Sequence, residues 1–341
     1  MKKIKTVDAV GHVLCHDITR IVKDVVKDTP FRKGHIVTEE DIPVLLSIGK
    51  ENLYIWEKKE GMLHEDEAAM ILYDICKNDN MVASEIKEGK IELIADIDGL
   101  FRVDVDRLDK INELDEIMIA TRHNNYAVKK GDKLAGTRVI PLIIEEEKLK
   151  KAALIAGDKP LLELLPYKKM KAAVVTTGSE VYHGRIKDTF TPVIIKKLSE
   201  YGIEVVGHSI VDDKSEMIVN AIIEHKNRGV DLIICTGGMS VDPDDLTPSS
   251  IRESGANIVT YGAPVLPGAM FLLGYFDDGT PIMGLPGCVM YTKATVFDLI
   301  LPRVAAGVKL TKKDISRMGH GGLCFACKTC TYPRCEFGKG V

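Results

Sequence analysis

The chain has 341 residues, of which 45% are hydrophobic and 28% charged, and its formal net charge at pH 7 is −4. This length suffices for about two domains with separate cores, and the composition is that of an ordinary globular protein. The slight negative charge argues against a general nucleic-acid binder, which would show a basic surface. Neither an apolar run long enough to span a membrane nor a signal peptide is present, so we expect a cytoplasmic protein without a membrane partner.

Residues 1–56 are predicted to form an N-terminal segment of strands, turns and one short helix. The helix is expected from Thr38 through Leu46, with Thr38 as the N-cap and Asp41 at the capping-box position. Gly49 suits the end of this helix.

Residues 57–168 are predicted to form a small α+β domain that ends in a linker. Glu65 to Lys77 has the apolar spacing of an amphipathic helix. Three strands are expected, at Ile91–Ile97, Phe101–Val105 and Ile117–Thr121. Pro160 to Lys169 contains two prolines and is the predicted linker to the next domain.

Residues 169–307 show the pattern of an α/β domain with a mostly parallel sheet. Two apolar runs, Ala172–Val175 and Asp231–Cys235, each stop at a glycine turn, and Ile203–Val211 is predicted as a strand between them. Two helices are predicted from apolar residues at helical spacing, namely Phe190, Ile194, Leu198 and Tyr201 in the first and Ile218, Ala221, Ile222 and His225 in the second. The alternation of strands and helices favours parallel strands joined by right-handed crossovers.

The turns after these strands carry the residues that suit a ligand. In a parallel sheet, ligands bind beyond the carboxyl ends of the strands. Glycine turns bring main-chain N–H groups close to a phosphate, and nearby carboxylates hold the Mg²⁺ that screens it. Glu180, Asp212 and Asp245 are the acids expected at this edge. The same residues also fit ordinary strand-end turns with solvated acids, since neither a P-loop nor a G-x-G-x-x-G motif is present.

Four motifs in this region resemble a known family. In chain order they are Thr177-Gly178-Ser179-Glu180, Gly184-Arg185-Ile186-Lys187-Asp188-Thr189, Gly237-Gly238-Met239-Ser240-Val241 with Asp245, and Gly284-Leu285-Pro286-Gly287. Their order and spacing resemble the molybdopterin-binding domain of molybdopterin molybdenumtransferases and gephyrin. Val10–Ile18 and Phe31–Val37 look like segments that precede this domain in the same family.

The resemblance implies a three-layer α/β domain in a homodimer. The smaller α+β domain predicted for residues 57–168 precedes it and departs from the family pattern. In that family, adenylylated molybdopterin and molybdate react in the presence of Mg²⁺ to give molybdenum cofactor and AMP. By position, Glu180, Asp212 and Asp245 match the acidic catalytic residues, with Asp212 and Asp245 as the Mg²⁺ ligands. The residues that the resemblance implies for molybdopterin binding are Thr177, Gly178, Ser179, Gly237, Gly238, Ser240, Pro286 and Gly287.

Several positions depart from the family pattern, and they leave two hypotheses for the function. Phe190 and Cys288 stand where the family has asparagine, and Ala269 stands where it has a lysine. The first hypothesis is a molybdenumtransferase that inserts molybdate into molybdopterin. The second is a non-catalytic protein that binds the cofactor and delivers it to a client molybdenum enzyme. Either hypothesis is compatible with tungsten in place of molybdenum.

Residues 308–341 are predicted as a linker, Thr311 to Met318, followed by a cysteine-rich tail. Cys324, Cys327, Cys330 and Cys335 have the spacing C-x2-C-x2-C-x4-C. Four thiolates at this density can bind one metal centre. The pattern is close to that of a [4Fe–4S] run, whereas zinc more often uses two separated C-x2-C pairs. An iron–sulfur cluster, a zinc ion and a metal-free tail all remain as alternatives.

Overall fold

A computed structural model of the chain describes residues 2–22, 26–55 and 60–340. The chain divides into two compact units. Unit 1 comprises Met1–Ile97, Phe101–Arg122 and Lys129–Leu164, and unit 2 comprises Asp98–Leu100, His123–Val128 and Leu165–Val341.

The strands of the described residues are β1 (Lys2–Lys5), β2 (Ile18–Val22), β3 (Val26–Phe31), β4 (Asn52–Ile55), β5 (Met62–His64), β6 (Met81–Ala83), β7 (Lys90–Ala95), β8 (Gly99–Val103), β9 (Ile117–Thr121), β10 (Tyr126–Val128), β11 (Lys133–Val139), β12 (Ile143–Glu145), β13 (Leu162–Pro166), β14 (Met170–Thr177), β15 (Ile203–Val211), β16 (Leu232–Thr236), β17 (Asn257–Tyr261), β18 (Leu272–Tyr275) and β19 (Pro281–Leu285). The helices are α1 (Asp41–Ser47), α2 (Glu65–Cys76), α3 (Val105–Asn112), α4 (Glu146–Ala156), α5 (Ser179–Tyr182), α6 (Phe190–Ser199), α7 (Ser215–Asn227), α8 (Thr247–Glu253), α9 (Val296–Ala305) and α10 (Lys312–Ser316).

Unit 1 contains an antiparallel sheet with the strand order β6-β7-β11-β9. Helix α2 matches the predicted helix at Glu65–Lys77 to within one residue, and it begins at a capping box. There the His64 side chain accepts from the N–H of Asp66, and the Glu67 carboxylate accepts from the N–H of His64 at 2.9 Å. The face of α2 that carries Ala68 and Leu72 is completely buried.

Two predictions for residues 1–168 are wrong in detail. Helix α1 begins at Asp41 rather than directly after Thr38. The predicted capping-box position of Asp41 is confirmed, because its carboxylate accepts hydrogen bonds from the main-chain N–H and the hydroxyl of Thr38. The predicted linker at Pro160–Lys169 contains strand β13 instead. Leu162 and Leu164 alternate along this strand and are buried. Pro166 is tolerated because β13 is an edge strand of its sheet.

Unit 2 is built on a six-stranded sheet with the order β15-β14-β16-β19-β18-β17. The first four strands are parallel, and β18 pairs antiparallel with both β19 and β17. The predicted elements at Phe190–Tyr201, Ile203–Val211 and Ile218–His225 correspond to α6, β15 and α7.

Alternating residues of the central strands bury both faces of this sheet. Ala172 and Val174 belong to one core cluster, which includes buried residues of α6 and α9. Ala173 and Val175 belong to a second cluster, which includes buried residues of α7 and α8. The helix–sheet–helix layering confirms the α/β prediction, and the antiparallel β17–β18 pair makes the sheet mostly, rather than wholly, parallel.

The predicted linker at Thr311–Met318 is also wrong in part, because it contains helix α10. Thr311 and Asp314 form a capping box at its start. Ile315 and Met318 are buried in the same cluster as α9. No helix in residues 2–22, 26–55 and 60–340 is long and apolar enough to cross a membrane.

Candidate ligand-binding site

The carboxyl ends of four strands bring the predicted site residues to one edge of the unit 2 sheet. Thr177 of β14 pairs with Val211 of β15, and Thr176 pairs with Thr236 of β16. Thr236 in turn pairs with Leu285 of β19. The residues that directly follow these strand ends are Gly178, Asp212, Gly237 and Pro286. The prediction that the two glycine turns and the acids share an edge therefore agrees with the strand register.

The two glycine turns are packed against each other through their backbones. Gly237 has φ +83°, and a Cβ atom there would lie 2.2 Å from the carbonyl oxygen of Thr177. Gly238 has φ +54°, and a Cβ atom there would lie 2.9 Å from the hydroxyl of Thr247. The hydroxyls of Thr177 and Thr247 are 3.1 Å apart and hydrogen-bonded. A side chain at position 237 is thus excluded both by conformation and by space.

Asp212 is held as a carboxylate by donors on three sides. It is 7% exposed, and it accepts hydrogen bonds from the Ser179 hydroxyl at 2.6 Å and from the Asp213 N–H at 3.1 Å. The Lys214 ammonium lies 3.1 Å from the other carboxylate oxygen. The hydrogen bond from Ser179, supported by Lys214, lowers the pKa of Asp212 from 3.8 to about 2. Asp212 is therefore ionised at neutral pH.

The sequence predicts that Asp213 caps the helix that follows it, with Glu216 at the N3 position, and this prediction is wrong. The N-cap residue of α7 is Lys214, and its side chain makes no capping hydrogen bond. The Asp213 carboxylate accepts instead from the main-chain N–H of Ser179 at 2.8 Å. Asp212 and Asp213 together fix the turn that follows β14 to the turn that follows β15.

The other two acids are less enclosed. Asp245 is partly exposed, and its carboxylate accepts from the N–H of Ser240 at 2.9 Å, which closes the loop after the second glycine turn. Glu180 is exposed at the start of α5.

The acids do not form a preassembled metal site. Within the part of the chain that the structure describes, no three His, Cys, Asp or Glu side chains are grouped so as to hold a metal ion. Both carboxylate oxygens of Asp212 already face protein donors. This donor set does not fit a resident Mg²⁺ ion.

Pro286 and Gly287 begin a 3-10 helix at Gly287–Met290. Pro286 is buried, whereas Gly287 is exposed, and a Cβ atom at Gly287 would meet nothing within 4 Å. The Thr189 hydroxyl donates to the Met290 sulfur at 3.1 Å. This contact connects the loop that precedes α6 to the turn that follows β19.

Asp188 is a further polar residue at this edge, and the sequence indicates it only as part of the motif at 184–189. Its carboxylate accepts from the Thr191 hydroxyl at 2.6 Å and from the N–H groups of Phe190 and Thr191, and it lies 3.3 Å from His208 Nε2. Burial raises the pKa of Asp188, but the hydrogen bonds from Thr191 and Phe190 outweigh that effect and lower the pKa overall. An aspartate two residues before the first apolar residue of a predicted helix is the signal that would have indicated this role.

A groove of about 770 Å³ runs along the edge strand β17 and includes Arg252, Asn257, Tyr261 and Lys312 in its lining. The Tyr261 hydroxyl donates to the carbonyl oxygen of Met239 at 3.0 Å. One end of the groove is thereby connected to the second glycine turn.

Part of unit 2 is similar to a known protein family. Residues 173–306, which contain the sheet edge described above, match the family model of a probable molybdopterin binding domain. Residues 3–57 match a domain of unknown function. The matched stretch comprises 134 of the 341 residues, so the similarity concerns this part of unit 2 and not the whole chain. The narrower resemblance to molybdenumtransferases and gephyrin stays a prediction.

Individual relatives share only part of their length with this chain. A competence-damage inducible protein of Levilactobacillus brevis is 37% identical over 84 residues, which are 25% of this chain and 20% of that protein. The corresponding protein of Bacillus thuringiensis is 33% identical over 97 residues, 28% of this chain and 23% of that protein. The chain therefore spans about a fifth of the length of these relatives.

Two solved structures are similar to part of the chain. The molybdopterin biosynthesis enzyme MoaB from Thermus thermophilus is 21% identical, and the match covers 40% of this chain and 97% of that one with a TM-score of 0.33. The tungsten cofactor synthesizing protein MoaB from Pyrococcus furiosus is 23% identical, with coverage of 42% and 98% and a TM-score of 0.35.

Proposed function

We propose that unit 2 binds molybdopterin at the carboxyl edge of its sheet, with the phosphate against the turns at Thr177–Glu180 and Gly237–Ser240. The observation that carries the proposal is the backbone contact of the two turns, where Gly237 leaves no space for a side chain beside Thr177. This contact lies inside the residues that match a probable molybdopterin binding domain.

The chemistry of the edge supports an anionic ligand. Successive residues with left-handed conformation, Gly237 and Gly238, form a turn of the kind whose N–H groups bind anions. Arg185 and Lys187 are exposed on the loop that follows the first turn, and Lys214 is exposed beside Asp212. These cations offset the repulsion between a phosphate and the carboxylates at the same edge.

The experiment for binding is a thermal shift with molybdopterin under anaerobic conditions. At a ligand concentration near 100 times Kd, binding to the folded state alone stabilises a protein by about 2.7 kcal/mol. For a domain of this size the melting temperature should rise by several degrees. Folded protein whose melting temperature does not respond to molybdopterin would contradict the proposal.

Insertion of molybdate is the second candidate, and the ionised Asp212 is the observation that favours it. In this hypothesis Glu180, Asp212 and Asp245 position molybdate and the phosphates of adenylylated molybdopterin, with Mg²⁺ supplied together with the substrate. The protein would contribute positioning and charge neutralisation rather than a nucleophile.

An assay of AMP release from adenylylated molybdopterin, molybdate and Mg²⁺ separates the two candidates. A thermal shift without AMP release favours a binding or delivery protein, whereas AMP above the no-enzyme background favours insertion. The predicted homodimer and the predicted client molybdenum enzyme are partners of either candidate, and light scattering measures the first directly.

A further inference from the structure

The cysteine-rich tail forms a loop whose two ends are fixed to unit 2. At the closing point the Gly338 N–H donates to the Gly321 carbonyl oxygen at 2.9 Å. The N–H of Cys324 donates to the Leu266 carbonyl oxygen at 2.8 Å, next to a bridge between Leu323 and Leu266. The loop from residue 322 to residue 337 is therefore closed upon itself and attached at its first end.

The second end of the loop is attached to helix α9. Phe337 is 4% exposed and belongs to the core cluster that contains buried residues of α9. The Tyr332 hydroxyl donates to the Asp298 carbonyl oxygen at 3.1 Å, and the Tyr332 and Phe337 rings meet edge to face with centroids 6.1 Å apart. Both ends of the loop thus have fixed positions before any ligand is considered.

The four cysteines are distributed over this closed loop in a regular way. Cys324 and Cys335 each lie three residues inside the closing hydrogen bond, and both are half-buried against the core. Cys327 is exposed and Cys330 is half-buried in the segment between them, which contains neither a helix nor a strand. The closing hydrogen bond therefore places Cys324 and Cys335 at equal distances in sequence from the base of the loop, and it places Cys327 and Cys330 in the segment between them.

We propose that Cys324, Cys327, Cys330 and Cys335 form a four-thiolate metal centre of the iron–sulfur class. The three cysteines at C-x2-C-x2-C supply adjacent corners of one cluster, and the fourth comes from the opposite end of the loop, where its position is already fixed. Lys328 and Arg334 lie in the loop, and these cations offset the negative charge that four thiolates bring.

Formation of this centre involves a change in the middle of the loop. Among residues 2–22, 26–55 and 60–340, no three side chains of the ligating types are arranged around a common point. The segment at 325–331 therefore has to fold inward when the metal binds, while residues 321–324 and 332–338 keep their contacts. Metal binding that orders a short cysteine-rich segment is common in proteins.

The test is metal analysis of the full-length chain, purified without oxygen and without chelator. We expect about four irons and four sulfides per chain, as for one [4Fe–4S] cluster. Cys327→Ser and Cys330→Ser should each lose most of the iron and sulfide, and they should keep the wild-type circular dichroism because neither side chain is buried in the core. Cys288→Ser is the matched control, since Cys288 is a half-buried thiol of the same unit outside the tail, and it should retain the cluster.

Three results would overturn the proposal. Zinc in place of iron and sulfide would refute the iron–sulfur class. Wild-type protein that is metal-free, and that takes up nothing from ferrous iron and sulfide under anaerobic conditions, would refute the site. Equal loss of iron in Cys288→Ser and Cys327→Ser would refute the assignment of the ligands. Molybdopterin binding is measured separately, so failure here leaves the proposed function unchanged.

Discussion

The substitution Gly237→Ala tests the backbone contact between the two glycine turns. Gly202→Ala is its matched control, because Gly202 has a similar φ of +71° in the same unit but a Cβ atom there would meet nothing within 4 Å. Both variants place a Cβ atom in the left-handed conformation, and only Gly237→Ala also forces it to 2.2 Å from the Thr177 carbonyl oxygen.

The expected losses of unfolding free energy separate the cost of the left-handed conformation from the cost of the steric contact. The left-handed backbone conformation costs alanine roughly 1–2 kcal/mol, and the reduced entropy of the unfolded chain offsets about 0.4–1 kcal/mol of this cost. Gly202→Ala should therefore lower the free energy of unfolding by about 1 kcal/mol. Displacing packed backbone adds roughly 1–3 kcal/mol, which brings Gly237→Ala to about 3 kcal/mol. For a unit of this size these losses correspond to melting temperatures lower by about 2–4 °C and about 6–12 °C, respectively.

Scanning calorimetry measures this difference in melting temperature by following the unfolding transition of unit 2 in both variants. Equal shifts in the two variants would refute the argument, because they would show that the turn at Gly237 accepts a side chain at no cost beyond its conformation.

Three further predictions concern single carboxylates. Because the pKa of Asp212 is lowered to about 2, its contribution to stability should be fully present above pH 3.8 and disappear as the pH falls towards 2. Urea unfolding at several pH values should show that the loss of unfolding free energy in Asp212→Asn becomes smaller over that range. A loss that does not depend on pH would contradict the assignment. Asp245→Asn keeps an oxygen that accepts from the Ser240 N–H, so the variant should lose no more than about 1 kcal/mol of unfolding free energy, as measured by its melting temperature. AMP release, if wild type shows it, should fall by an order of magnitude or more. Full activity of the variant would exclude Asp245 from the site. Burial, together with the neighbouring Asp66, raises the pKa of Glu65 to about 7, so the ionised form destabilises unit 1 and stability should be lost as the pH rises from 4.5 through 7. Glu65→Gln should therefore raise the melting temperature at pH 8 and change it little at pH 4. A larger increase at pH 4 than at pH 8 would refute the raised pKa.

The elements of unit 2 that the sequence predicts best are those specified by local patterns. Apolar residues at helical spacing placed α6 and α7, and the glycines that end β14 and β16 placed the site edge, because strand, turn and helix signals are each contained in a few residues. The short helix α10 also had a local signal, a threonine followed three residues later by an aspartate, which the polar composition of the segment obscured.

The features that local patterns missed depend on contacts between distant residues. Asp213 looks like a helix cap beside Ser215 and Glu216, but its carboxylate accepts from Ser179, which is 34 positions away in the chain. Strand β13 has prolines near both ends, and only the burial of its leucines in the folded unit makes it a strand. The hydroxyl and imidazole partners of Asp188 likewise come from β14, α6 and β15.

The central claim is that molybdopterin binds at the carboxyl edge of the unit 2 sheet. Gly287→Asp tests the location, because this exposed position has space for a side chain and the added negative charge would face the phosphate. Asn227→Asp is the matched control, since it adds the same charge at the far end of α7, beside the amino ends of the strands.

The most direct measurement is anaerobic isothermal titration of molybdopterin into wild type and these two variants. We predict that wild type and Asn227→Asp bind with the same affinity, and that Gly287→Asp binds at least about tenfold more weakly, which corresponds to about 1.4 kcal/mol. Folded wild type that does not bind, or a Gly287→Asp variant that binds as tightly as Asn227→Asp, would contradict the account.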